Sequence, residues 1–228
     1  LLVEGLWSLL GSSTGRNLRR LHLPNTTLNA EVLEPLRQSK GLESLESLDL
    51  SFNAIEDEGL HVLVDNDSLS NLRTMKFRRC GVSVEGILAV LETPLHESLR
   101  ELDLGENVIR RAGWSELVPK LAKMHLRSLS VDGTHINDAS LLELGERVRS
   151  LEALRFLPGD VSLQGILDVC FLGPWSEPVR RTLRRHPFEH LSRDALRKLL
   201  RLAPWATLSA RSTKSQWLDG AAFAAATH

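Results

Sequence analysis

Leucines recur along the chain in two alternating cadences. In LESLDLSFNAIEDEGLHVL, residues 45–63, Leu48 and Leu50 stand two apart, the period of a strand that buries one face. After Ile55 the small and apolar positions fall at Gly59-Leu60 and Leu63, the wider period of an amphipathic helix. The stretch predicts a short strand, a turn and a helix.

The same cadence returns at a fixed distance. Anchored on Leu48, the frames centre on Leu21, Leu48, Met75, Leu102, Leu129 and Leu154, separated by 27, 27, 27, 27 and 25 residues. They read LRRLHLPNTTL, LESLDLSFNAI, LRTMKFRRCGV, LRELDLGENVI, LRSLSVDGTHI and LEALRFLPGDV. The helical half repeats as well. Val32, Gly59, Gly86, Gly113, Ser140 and Gly165 precede Leu33, Leu60, Ile87, Trp114, Leu141 and Ile166. Three residues further on come Leu36, Leu63, Val90, Leu117, Leu144 and Val169. Matches at every register identify an internal repeat. One unit cannot bury both its strand face and its helix face, whereas stacked neighbours can. Parallel strands at ~4.8 Å spacing then make a curved sheet roughly 25 Å across for six units.

These frames resemble the leucine-rich repeat L-x-x-L-x-L-x-x-N/C-x-L with a helix closing each unit. The long period and the Gly-Leu helix starts resemble the ribonuclease-inhibitor-like subclass. The resemblance covers residues 1–171. It implies an α/β leucine-rich repeat solenoid, a curved parallel β-sheet lined by helices, followed by a basic helical C-terminal segment over 172–228. Residues 1–10 match the helix half of a preceding repeat and the chain opens on Leu rather than Met, so it is read as a piece of a longer protein with further N-terminal repeats. Past Leu172 the period is lost. Helices are expected from Ser176 to about His186 and from Ser192 to the stop at Pro204.

The turn position of the motif reads Thr26, Asn53, Cys80, Asn107, Thr134 and Gly159. Asparagine there hydrogen-bonds backbone groups of the turn, and Thr or Cys does part of that work. Cys80 is therefore expected to be a buried structural thiol, and Cys170 falls on an apolar helix position. Two cysteines make no disulfide framework, which favours an intracellular, reducing compartment, the cytoplasm or an organelle interior. No apolar run reaches the roughly 18 residues of a membrane span, so a membrane partner is not expected.

Charge divides the chain. Residues 1–171 carry 18 basic and 25 acidic side chains, a net −7, whereas 172–228 carry 10 and 4, a net +6. Residues between the frame leucines face the concave side, and there Arg73, Lys76, Arg78 and Arg79 cluster in the third frame, with Arg100 and Arg127 along the same row. Asp49, Asp103 and Glu106 flank them, and Phe52 is the one aromatic of the face. Mixed signs suit a protein partner better than a phosphate backbone. In the C-terminal segment Arg180, Arg181, Arg184, Arg185, Arg193, Arg197 and Arg201 are candidate contacts for RNA or an acidic partner.

Catalytic and cofactor chemistry finds little support. HPFEH at 186–190 spells H-x-x-E-H, yet Pro187 after the first His disfavours the single helical turn that zinc ligation requires. GSSTG at 11–15 lacks the Gly-Lys-Ser/Thr of a phosphate loop. No metal, cofactor or catalytic residue is assigned. The expected function is a non-catalytic protein–protein interaction scaffold or adaptor, a structural subunit of a multi-subunit complex. The alternative is an RNA-associated subunit of a ribonucleoprotein particle using the Arg-rich segment. A GTPase regulator ranks below both, because the acidic tail of the related regulators is replaced here by a basic one.

Overall fold

The computed structural model describes residues 2–156 and 161–162. Six three-residue strands form one parallel sheet in chain order: β1 Arg20–His22, β2 Ser47–Asp49, β3 Thr74–Lys76, β4 Glu101–Asp103, β5 Ser128–Ser130 and β6 Ala153–Arg155. The anchors Leu21, Leu48, Met75, Leu102, Leu129 and Leu154 are directly opposite one another across every pair. The 25-residue last interval shortens the connection and leaves that register intact. The repeat read from the leucines is thus the repeat of the fold. The described residues stop within the sixth frame, so the 172–228 segment, Cys170, HPFEH and the C-terminal arginines lie outside them.

Helices return the chain from one strand to the next. They are α1 Leu2–Leu10, α2 Glu34–Gln38, α3 Glu56–Val64, α4 Val84–Leu91, the short α5 Leu95–Ser98, α6 Arg111–Leu121 and α7 Asp138–Arg147. The segment expected to be a preceding repeat's helix is α1, with Leu6 and Leu10 buried in the common core. The first full frame has a weaker return, a 3-10 turn over Glu31–Leu33 running into the five-residue α2, whose Pro35 occupies the first turn, where its missing N–H costs nothing.

The core is one sandwich between the sheet's inner face and the helices. Leu48, Leu50, Leu60 and Leu63 are fully buried, and so are their equivalents Leu129, Val131, Leu141 and Leu144. Trp114 takes the leucine position of α6. It is wholly buried and donates its indole N–H to the Thr134 carbonyl of the next frame at 3.2 Å. The small residue before it is enforced by the same packing, because a Cβ on Gly113 would lie 2.0 Å from the side chain of Val84 at the start of α4.

Asparagine at the turn ties frames together in pairs. Asn53 donates to the carbonyls of Leu23 and Leu50 at 2.8 and 2.7 Å, and its Oδ1 accepts the N–H groups of Thr26 and Leu28 at 2.8 and 3.0 Å. Asn107 does the same one pair later, donating to Phe77 and Leu104 and accepting from Cys80 and Val82. Each asparagine thus reaches back one frame. Its two accepted N–H groups flank a left-handed residue, Thr27 at φ +57° or Gly81 at φ +73°, and that conformation turns both donors toward one oxygen. Cys80 and Thr26 do part of this work: Cys80 Sγ lies 3.2 Å from the Leu50 carbonyl and 3.6 Å from that of Arg78, and Thr26 Oγ1 donates to Leu23 at 2.7 Å.

Leu102→Ala should destabilise the fold by about 2–5 kcal/mol, the range for emptying a buried leucine site. Asn107→Ala orphans buried donors and acceptors in two frames at once, at about 1–3 kcal/mol for each group left unpaired. Urea unfolding curves of both variants against the parent check these magnitudes.

Candidate functional site

Opposite the helices the sheet presents an open face. Strand alternation puts the residues on either side of each anchor there. One row runs Arg20, Ser47, Thr74, Glu101, Ser128, Ala153, and the other His22, Asp49, Lys76, Asp103, Ser130, Arg155. The second row was legible in the leucine frame. The first was not recognised, although the period of two that marks Leu48 and Leu50 also pairs Ser47 with Asp49. Outside the strands, the row Arg19, Glu46, Arg73, Arg100, Arg127 and Glu152 follows the amino ends. Asn25, Phe52, Arg79, Glu106 and Gly133 follow the carboxyl ends, each with positive φ. Phe52 is 43% exposed at that edge.

The basic cluster expected on this face separates into different roles. Arg78 turns inward. Its Nη2 donates to Asp132 Oδ2 at 2.5 Å and Glu106 Oε1 at 2.7 Å, and its Nη1 is 4.0 Å from Asp103 Oδ1. The guanidinium side chain is only 18% exposed and that of Asp132 6%. Arg78 is an internal clamp, joining the third frame to the fourth and fifth. Gly105 makes room for it, since a Cβ there would come 2.5 Å from Nη1. Asp132 and Gly105 both stand in the motif's variable positions, and only the cross-frame register reveals that they serve Arg78.

Arg79 lies 3.8 Å from Glu106, Arg127 3.8 Å from Glu152, and Arg19 3.3 Å from Glu46. These pairs are exposed and contribute little to stability. Arg100 turns to the chain itself, donating from Nη1 to the carbonyls of Glu97 and Leu99, both at 2.8 Å. Asp49 accepts the N–H of Ser51 at 3.0 Å and Asp103 that of Gly105 at 2.9 Å, two equivalent turns one pair of frames apart. Arg73 and Lys76 have neither ion pair nor hydrogen bond with any described side chain, and the same holds for Glu101 and Arg155. These four, together with Arg20 on β1, are uncommitted charges of the open face among the described residues.

Comparison with known proteins agrees with this architecture. The family model described as Leucine Rich repeat matches residues 41–64, the second frame with its helix. The ribonuclease inhibitor of Sus scrofa is 33% identical over 111 residues, covering 46% of this chain and 24% of that protein. The ribonuclease inhibitor of Mus musculus is 27% identical over 146 residues, covering 61% and 32%. The chain carries leucine-rich repeats and is similar to the ribonuclease inhibitors over the matched stretches. It spans about a quarter to a third of the length of the curated relatives it matches. Among solved structures, leiomodin-1 actin-binding site 2 aligns with a TM-score of 0.41 at 14% identity, over 56% of this chain and 75% of that one.

Proteins of the leucine-rich repeat family generally act by binding other proteins and are typically non-enzymatic. Among the described residues no group of three or more His, Cys, Asp or Glu could hold a metal ion, and no helix is long and apolar enough to cross a membrane. Cys80 is the nucleophile the repeat buries. It is 1% exposed, and burial pushes its thiol up to about 11, where the thiolate is scarce at neutral pH.

The Arg78 clamp has a pH signature. Burial alone would raise the Asp132 carboxyl, but the hydrogen bonds from Arg78 and Ser130 outweigh it and hold the group below its usual range. A folded value below the unfolded one means that the carboxylate stabilises the fold above about pH 4. That contribution is lost as pH falls through the lowered folded value. Asp132→Asn should therefore flatten the loss of thermal stability between neutral and acid pH, and Arg78→Met should lower stability at pH 7 by up to about 3 kcal/mol. Melting temperatures across that pH range check both.

Proposed function

We propose that the chain is a non-catalytic scaffold that holds a protein partner on the open face of its sheet, as a structural subunit of a larger assembly. One observation carries the reading. Arg73, just before β3, and Lys76, Glu101 and Arg155 on the strands offer charges of both signs, free of described partners, in a register locked by the repeat. Such charges are held at fixed spacing, so a complementary surface meets them without ordering them first. Carboxylates interleaved with the cations favour a protein over a nucleic-acid backbone, which Glu101 and Asp103 would repel.

The test uses Arg73 and Lys76 and leaves Arg79 alone, because Arg79 is already beside Glu106 and adopts φ +50°. The double variant Arg73→Glu/Lys76→Glu should fold as the parent does, since both side chains lie outside the core. Co-purification from the native source identifies the stoichiometric partner. The double variant should then lose at least an order of magnitude in affinity for it, in line with reversing two interfacial charges. Unchanged affinity would move the interface to the helices or to the 172–228 segment.

A further inference from the structure

We infer that the open face contains a receptor for a single cationic side chain, a Lys or Arg of the protein partner, seated over β5. The inference rests on the interaction reading above and specifies its partner chemistry. Strand β5 carries Ser128 and Ser130 where β4 carries Glu101 and Asp103, and β6 adds Ala153 beside them. Small residues on three adjacent positions leave a depression of about 230 Å³, lined by Lys76, Glu101, Asp103, Ser128, Ser130 and Arg155 among others.

The floor and the nearer wall offer acceptors. Ser130 spends its proton on Asp132 Oδ1 at 2.6 Å, so its hydroxyl oxygen keeps only acceptor capacity. Glu101 is exposed and has no described ion pair. Asp103 engages Gly105 and Arg78 through Oδ1 alone, which leaves Oδ2 available. An anion placed here would sit against two carboxylates, with Asp132 close beneath. Lys76, on β3 opposite Asp103, stands on the far side of these carboxylates, and β4 lies between it and the serine floor.

Across β3 to β6 the signs therefore read plus, minus, neutral, plus. A partner that matches them inserts its cation over the neutral strand, leaning on Glu101 and Asp103. It places carboxylates opposite Arg155, one strand away at ~5 Å, and opposite Lys76, two strands away at ~10 Å. The unequal distances give the site a direction as well as a charge.

The probe is N-acetyl-arginine amide, titrated into the full ¹⁵N-labelled chain and followed by amide chemical shifts, with N-acetyl-glutamate amide as the comparison. Saturable shifts confined to residues 101–103, 128–130 and 153–155 are expected with the arginine compound. They should be lost in Glu101→Gln, and in Ser128→Leu, which fills the depression. The same spectra report whether each variant remains folded. Absence of shifts with the parent, equal shifts from the glutamate compound, or a full response in Glu101→Gln would overturn the receptor. Those outcomes read this depression alone, whereas the Arg73/Lys76 reversal reads the face as a whole, so either can fail without the other.

Discussion

A strand of three residues makes too few hydrogen bonds to persist by itself, and every strand among the described residues is three residues long. The molecule depends on each one finding the next at the same register. A 27-residue interval achieves this by returning the chain through a helix of one to three turns, so that anchor meets anchor across the whole sheet. Slippage by a single residue would turn Leu48 to water and Asp49 into the core. The buried leucines therefore fix position as well as contributing burial, and the charged rows on the other face inherit that order.

This division separates what holds the fold from what meets a partner. Inner-face residues have a single acceptable chemistry, apolar and of suitable volume. Outer-face residues are constrained only to be tolerated by water, and so are free to encode a surface. Arg78 violates the division. It stands in a variable position yet is held by Asp132, Glu106 and Asp103 from two following frames, and it behaves as part of the framework.

The frame itself was legible because its signal is repeated and local. Periods of two and of roughly four recur at each unit, and repetition removes the ambiguity that any one apolar run would carry. Asn53 and Asn107 could be expected to bond turn carbonyls. That each also serves the preceding frame could not, since the accepting geometry comes from left-handed residues such as Thr27 whose side chains do not demand it. The surface was legible only as a composition. Strand alternation would have found Ser128 and Glu101, but charge counting does not show which arginine is already paired. Arg73 and Arg78 look alike in sequence and differ because Asp132 lies two frames away, close in space and 54 residues along the chain.

Solenoid stability is a sum of unit terms and nearest-neighbour interfaces, and in this chain those interfaces are unequal. The Arg78 clamp couples the third, fourth and fifth frames through side chains as well as backbone, so no one of them can open without stripping a buried ion pair. Fraying that starts at β1 meets leucine contacts, the asparagine bridges of Asn53 and Asn66 and exposed polar pairs such as Arg19–Glu46 before it reaches that block. The middle of the sheet is thus the last part to come apart. It also carries the depression over β5, which stays assembled while the frames ahead of it breathe.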